Sequence, residues 1–441
     1  MTASAVSTST SKSGSSRFGN ASHLSCRECG QTYELGATHV CAECFGPLEV
    51  AYDLPRLTRA DIEAGPNSIW RYASLLPVPS DVASGPNTEP GWTRLVRADQ
   101  LARAVGMRSL WIKDERANPT HSFKDRVVAV ALAAALELGF KVLACPSTGN
   151  LANAVAAAAA RAGIRSVVLI PADLEVQKIL GTAIYGGTLV AVDGSYDDVN
   201  KLASELADER EDWAFVNVNV RPYYAEGSKT IGFEIAEQLG WRLPEQVVVP
   251  VASGAQLVKV DKAFRELAAL GLVADTGCKV FGAQAEGCSP VAAAFSAGHD
   301  VVQPVRPSTL AKSLAIGNPA DGPYVLDVVR RTGGAVAAVT DDELVDAIRL
   351  LAATEGIFAE TAGGVTLAVL RKLLAAGQLD PDAETVIINS GDGLKTLDAV
   401  APTIPPVQPI RPTLEAFAAL EAQATTGTSA GLSDQRAGEQ S

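Results

Sequence analysis

The chain has 441 residues, 47% of them hydrophobic and 20% charged, with a formal net charge of −13. That length and composition predict a globular protein of two or three domains around a large core. The acidic balance excludes a nucleic-acid binder, which needs a basic face, so any anionic ligand must be gathered by local cations and backbone amides.

No apolar run approaches the length needed to cross a bilayer. The longest, Leu151 to Ala160, contains Asn153 and ends at Arg161. Met1 to Ser16 lacks the apolar stretch of a secretory signal. A cytoplasmic protein is expected, with neither nucleic acid nor membrane as partner.

Residues 1–22 are Ser/Thr-rich and are expected to form a disordered N-terminus. Residues 23–55 carry two Cys-x-x-Cys pairs, Cys26/Cys29 and Cys41/Cys44, with Gly30 and Gly46 near them where the chain must turn. Such a pair of knuckles can give four thiolates to one tetrahedral zinc, and in a cytoplasmic chain a disulfide reading is poor. Two readings stay open: a zinc ribbon, or a hairpin of that shape without metal. Any zinc here is structural, because four sulfurs leave no open coordination position. Cys145, Cys278 and Cys288 are scattered and read as buried, reduced thiols.

Prolines and glycines make Tyr52 to Pro90 a connecting segment. Short strands at Thr93–Val96 and Leu110–Lys113 lead to Asn118-Pro-Thr-His-Ser-Phe-Lys-Asp-Arg126, with Ser122 as the expected N-cap of a helix through Leu138. Lys124 then stands in a first helical turn, the unfavourable end for a cation. Such a lysine is either solvated or kept for its amine.

Beyond it, strands alternate with helices. Strands are expected at Lys141–Cys145, Val167–Ile170, Thr188–Val192 and Ala214–Val218, with helices at Leu151–Ala162, Leu174–Tyr185, Asp197–Asp208 and Lys229–Leu239. Further strands fall at Val247–Val251, Lys279–Gln284 and Thr385–Ile388. Val/Ile-rich runs between amphipathic helices predict an α/β protein of doubly wound parallel sheets.

Three loops follow strands, where open parallel sheets bind ligands. Ser147-Thr148-Gly149-Asn150 offers hydroxyls and amides at a helix start, suited to a carboxylate. Ala252-Ser253-Gly254-Ala255-Gln256 is a small-residue turn suited to a phosphate. The third is Asn389-Ser390-Gly391-Asp392-Gly393. Read alone, each is an ordinary helix start or β-turn, and their order after the lysine segment is what makes them specific.

The Pro-Thr-x-Ser-Phe-Lys-Asp-Arg string resembles the Schiff-base lysine segment of the fold-type-II pyridoxal-phosphate enzymes, most closely that of the threonine synthases. The resemblance spans roughly residues 23 to 400 and includes Ala315-Ile-Gly-Asn-Pro319 and Glu360-Thr-Ala-Gly-Gly364. It implies the tryptophan synthase β-like fold, with 56–140 and 240–410 as a large cofactor-binding domain, 141–239 as a smaller mobile domain hinged near Phe140 and Gly240, and 411–441 as a tail.

By resemblance, Lys124 holds pyridoxal 5′-phosphate and is the catalytic residue, with Phe123 beside it. Asn150 lies by the phenolic oxygen, the 252–256 loop holds the phosphate, and Ser390 faces the pyridine nitrogen and leaves it largely unprotonated. Ser147, Thr148, Gly149 and Asn150 grip the substrate carboxylate, and Lys113, Arg126, Arg221 and Lys229 are candidates for a substrate phosphate. Ala252, Ala255 and Gln256 depart from the glycine and asparagine usual there, and His121 stands where many relatives have glycine.

The implied reaction is O-phospho-L-homoserine and water to L-threonine and phosphate, by a homodimer. Alternatives are cysteate synthase, a phosphoserine sulfhydrylase, a serine/threonine dehydratase, or a non-catalytic zinc-ribbon protein on the same scaffold.

Overall fold

Buried Val/Ile runs become the centres of two parallel sheets, as their period implies. The structure, a computed structural model, describes residues 17–54, 56–147, 149–172, 176–194, 196–407 and 409–422. Most of the stretch expected to be disordered, and most of the tail, lies outside these. In chain order the strands are β1 (Ala21–Cys26), β2 (Thr32–Tyr33), β3 (Leu48–Tyr52), β4 (Arg94–Arg97), β5 (Leu110–Asp114), β6 (Val142–Pro146), β7 (Arg165–Pro171), β8 (Thr188–Val192), β9 (Trp213–Phe215), β10 (Gln246–Pro250), β11 (Lys279–Ala285), β12 (Val336–Val339) and β13 (Thr385–Asn389).

The cysteine hairpin is an antiparallel sheet in the order β2-β1-β3. Strands β6 to β9 form a parallel sheet in the order β8-β7-β6-β9. The larger sheet runs β12-β11-β10-β13-β5-β4, parallel throughout except for the edge strand β4. Strand β12, the helix Gly322–Thr332 and the helix Asp341–Glu355 fall where no periodic signal had been assigned. Val336-Ala-Ala-Val339 is too short and alanine-rich to read as a strand by itself.

Packing redraws the expected domains. The helix Lys229–Gln238 buries Ile231, Phe233 and Ile235 in the same core as Val247, Val249 and Ile388 of the larger sheet. It therefore belongs with that sheet, and Gly240 is not at a boundary. Conversely, the helix Lys124–Glu137 buries Val127, Val128 and Leu132 with Leu143, Val155 and Ile170 of the smaller sheet.

Phe18, Leu24, Leu48 and Val50 join that second core, and Phe18 stacks on Tyr223 with ring centroids 5.2 Å apart. The described end of the N-terminal stretch is thus ordered by burial rather than disordered. Residues up to Leu397 form one unit; in the second, residues 414–422 are helical. Among the described residues no helix is long and apolar enough to cross a membrane.

Candidate active site

Strands β10, β13 and β5 are neighbours, so the loops that leave their carboxyl ends meet. After β5 the chain reaches the lysine segment, which is stitched to the loop after β13. Ser122 bridges Gly391, the Phe123 amide donates to the Ser390 carbonyl at 3.0 Å, and the Asp392 amide donates to the His121 carbonyl at 3.1 Å. His121 makes this turn with φ +63°, a left-handed conformation that glycine adopts freely. Its ring is exposed, with Nδ1 3.3 Å from the Arg116 carbonyl oxygen.

Lys124 is the first residue of its helix, and Phe123 rather than Ser122 is the N-cap. The Ser122 hydroxyl instead lies buried without a hydrogen-bond partner. The half-buried Lys124 amine donates to Tyr224 Oη at 2.8 Å and sits 4.6 Å from the Phe123 ring centroid. Tyr224 comes from the helix Arg221–Glu226, in which the sequence had marked Arg221 but not Tyr224 as part of the site.

Asn150 opens the helix Asn150–Ala162 at the centre of the smaller sheet, where the strand order reverses about β6. Its Nδ2 donates to Glu360 Oε2 at 2.8 Å, and Ser390 Oγ donates to Glu360 Oε1 at 2.8 Å. One carboxylate thus joins the two residues assigned to the phenolic oxygen and to the ring nitrogen of the cofactor. Glu360 had been noted only as the first residue of the Glu360–Gly364 segment that resembles the family.

Ser147 is turned inward. Its Oγ accepts from the Gly149 and Ala152 amides at 3.2 and 3.1 Å, so it shapes the loop and keeps only its hydroxyl proton to donate. Gly149 precedes the helix as its N-cap. Thr148 lies outside the described residues.

The loop after β10 turns through Gly254 at φ +99°, and a Cβ there would meet Val325 Cγ2 at 2.7 Å and the Asp321 carbonyl at 3.0 Å. Only glycine fits. The helix Ala255–Ala269 begins directly after it with no side-chain cap, so its amides face out of the turn. Gln256 Nε2 is buried there without a partner.

Three of the four cations assigned to a substrate phosphate are unavailable. Lys113 is fully buried, bound to Glu234 at 2.6 Å, to the Thr93 carbonyl at 2.8 Å and to Gln238 at 3.0 Å. Arg126 is fully buried between Glu115 at 2.6 Å and Glu234 at 2.5 Å. Lys229 is fully buried against Glu226 at 2.8 Å, Glu266 at 2.9 Å and the Leu75 carbonyl. Buried charges need such partners, and these pairs tie elements of the fold to one another, a strand to a helix at Lys113–Glu234 and helix to helix at Arg126–Glu234 and Lys229–Glu266, rather than holding ligands. Arg221 alone keeps a quarter of its side chain exposed, paired with Asp321 at 2.6 Å, whose amide donates to the Ser253 carbonyl at 2.8 Å.

In the hairpin, the sulfur atoms of Cys26, Cys29, Cys41 and Cys44 all lie within 4.8 Å of one another, with 3.4 Å between Cys26 and Cys44 and 3.6 Å between Cys29 and Cys41. A tetrahedral zinc with bonds of about 2.3 Å needs sulfurs roughly 3.8 Å apart, so the cluster can hold a metal ion. The Tyr33 hydroxyl, 3.1 Å from Cys41 Sγ, draws that thiol down to about 6, favouring the thiolate.

Residues 87–391 match the family model described as pyridoxal-phosphate dependent enzyme, and residues 25–49 match a model described as NinF protein. A threonine synthase of Methanocaldococcus jannaschii is 37% identical over 380 residues, covering 85% of this chain and 93% of that one. A threonine synthase of Halalkalibacterium halodurans is 34% identical, covering 76% and 93%. The chain belongs to the threonine synthase family of pyridoxal-phosphate-dependent enzymes.

The fold agrees with more distant structures. A threonine deaminase of Solanum lycopersicum superposes with a TM-score of 0.59 at 22% identity, covering 73% of this chain and 86% of that one. A diaminopropionate ammonia lyase of Escherichia coli gives 0.61 at 19%, covering 79% and 94%. The residues present fit the cofactor of this family. A half-buried amine, an uncapped helix start beyond a glycine-only turn, and two buried polar atoms without partners, on Ser122 and Gln256, surround the meeting of β5, β10 and β13.

Proposed function

We propose that the chain converts O-phospho-L-homoserine and water to L-threonine and inorganic phosphate, with pyridoxal 5′-phosphate held on Lys124. The observation that carries this reading is the Lys124 amine, fixed by Tyr224 and stitched by backbone hydrogen bonds to the Ser390 loop. When bound, the cofactor supplies the electron sink for bond changes next to the substrate's amino carbon.

The protein's part is binding, orientation and proton placement. The amides that start the helix Ala255–Ala269, with Gln256, receive the cofactor phosphate. The start of the helix Asn150–Ala162 receives the substrate carboxylate. Once free, the Lys124 amine would remove protons from the substrate's α and β carbons and deliver protons to its γ and α carbons, with Tyr224 Oη setting its direction. Phosphate leaves the γ carbon, and water adds at the β carbon. Arg221, the exposed cation of the original four, is the residue proposed to take the substrate phosphate, exchanging Asp321 for it.

Phosphate release with phosphohomoserine, measured beside phosphoserine plus sulfite, tests the substrate. Threonine should form from the first at a rate well above any product of the second. Cysteate from phosphoserine, with nothing from phosphohomoserine, would move the assignment to a cysteate synthase.

The proposal extends to a zinc ion in the four-cysteine cluster and to a cytoplasmic homodimer, as the resemblance implies. Metal analysis should find about one zinc per chain, as four-thiolate sites require. Cys26→Ser should lower both the metal content and the melting temperature, because Cys26 shares a core with Leu24 and Leu48. Metal-free protein of unchanged stability would leave a hairpin without metal.

A further inference from the structure

The first knuckle of the cysteine hairpin lies against the candidate site. Arg27 stands between Cys26 and Cys29, and the backbone fixes it there. The Arg27 amide donates to the Pro47 carbonyl at 3.1 Å, and the Cys26 amide donates to the Gln31 carbonyl at 2.8 Å. A Cβ on Gly46 would come within 2.6 Å of Glu28 Cγ, so the second knuckle closes tightly over the first.

From this anchor the Arg27 side chain reaches the helix Gly322–Thr332. Its guanidinium carbon lies 3.5 Å from the Tyr324 ring centroid, and one nitrogen is 3.7 Å from Asp321 Oδ1. Asp321 Oδ2 holds Arg221 at 2.6 Å, so two guanidiniums share one carboxylate. The neighbouring Glu28 carboxylate accepts from the Tyr324 hydroxyl instead. Asp321 is the N-cap residue of its helix, yet its side chain makes no capping hydrogen bond and serves the arginines.

The place of this cluster ties it to the chemistry. The Asp321 amide donates to the Ser253 carbonyl at 2.8 Å, in the loop after β10. Arg221 opens the helix that carries Tyr224, the partner of the Lys124 amine.

Guanidinium donors are left over. Each arginine has five N–H groups. Arg221 spends one of them on Asp321, and among the described residues the Arg27 side chain makes no hydrogen bond beyond its loose ion pair. The Arg27 and Arg221 side chains stay 20% and 25% exposed, against 9% for Asp321. Stacking on an aromatic ring holds a guanidinium in place and leaves its N–H edge open to a ligand. One carboxylate cannot neutralise two guanidiniums, whereas a phosphate monoester dianion can, and its oxygens accept from both.

We infer that Arg27 is a substrate-binding residue, forming with Arg221 a two-arginine clamp for the phosphate of the substrate. The cysteine hairpin thus supplies part of the active site. Asp321 holds the place of the phosphate and releases the arginines when the dianion arrives, and no covalent bond changes. The inference rests on the reading that the substrate is a phosphorylated amino acid. It also gives the hairpin a part in specificity, because a substrate without phosphate leaves both arginines on Asp321.

Calorimetric titration of the full-length holoenzyme with inorganic phosphate tests the clamp, since the bound cofactor already fills its own phosphate loop. Wild type is expected to show one saturable site. Arg27→Gln should weaken phosphate about 10- to 100-fold, as the loss of hydrogen bonds to a charged group does. It should raise KM for phosphohomoserine by a similar factor and change kcat much less. Cofactor absorbance and melting temperature should stay as in wild type, which separates binding from a structural role. Arg27→Lys keeps the charge without the planar fork, so its affinity should fall between the two, and it decides where Arg27→Gln fails to fold.

A wild-type holoenzyme with no saturable phosphate site overturns the inference. So does wild-type phosphate affinity in the Arg27 variants, an outcome that leaves turnover of phosphohomoserine standing. Weaker cofactor binding in Arg27→Gln, with phosphate affinity unchanged, assigns Arg27 to the cofactor and overturns it as well. Phosphate bound through Arg27, with none released from phosphohomoserine, upholds the clamp and overturns the proposed reaction.

Discussion

Lys124→Ala is expected to lose turnover by at least ~10³-fold, towards the upper range for a group that transfers protons, while folding as the wild type does. The amine is the only part of the side chain with a polar partner, Tyr224 Oη, and that hydroxyl is neutral, so its loss leaves no buried charge uncompensated. Alanine is also a better residue than lysine for a helix start, where a cation opposes the macrodipole.

Phosphate and threonine release measure the loss, and circular dichroism with a melting curve measures the fold. Borohydride should fix the cofactor covalently onto the wild type at this lysine and not onto the variant. A variant that turned over at the wild-type rate would refute the assignment of the lysine, whatever its fold.

The second large effect is on stability. Arg126→Met should destabilise the protein by about 3–5 kcal/mol, the cost of removing one partner from a buried ionic cluster. Arg126 lies between Glu115 and Glu234, and Lys113 shares Glu234. Without the guanidinium, two carboxylates stay buried with one ammonium between them.

Burial pushes the Glu234 carboxyl up, but Arg126 and Lys113 outweigh it and hold it at about 2. A depressed carboxyl stabilises the fold at pH above its unfolded value, and that contribution is lost as pH falls from the usual carboxylate range toward 2. The variant should therefore unfold at lower urea than the wild type near neutrality, and the gap should narrow in acid. A urea midpoint unchanged by Arg126→Met would show that the cluster contributes nothing to stability.

The places where the chain read well share a physical basis. The Val/Ile runs at Val247–Val249 and Thr385–Ile388 became β10 and β13 because burial on both faces of a parallel sheet leaves a continuous apolar run. The turn at Gly254 and the first-turn Lys124 were legible because backbone conformation and helix polarity depend on a few adjacent residues. Ser390 was placed by resemblance, and the structure ties its loop to Phe123 by one backbone hydrogen bond of 3.0 Å.

Charge was where local reading failed. Lys113 and Arg126 look like surface cations in sequence, yet each pairs with Glu234, 121 and 108 positions away. Lys229 pairs with Glu266, 37 positions away. Whether a lysine holds a ligand or a buried carboxylate depends on which helix packs over it, and that is absent from its neighbours in sequence. Tyr224 reaches Lys124 across 100 positions, and Glu360 reaches Ser390 across 30 and Asn150 across 210.

By itself, then, the sequence determined the alternating α/β frame, the lysine, the order of the loops and the cysteine spacing, because each is written in short-range period or turn chemistry. Only the tertiary structure decided which cations are free, that helix Lys229–Gln238 packs with the larger sheet, and that a single buried carboxylate spans Asn150 and Ser390. Those outcomes follow from burial, which makes a charge choose its partner by proximity in space and allows that partner to stand anywhere along the chain.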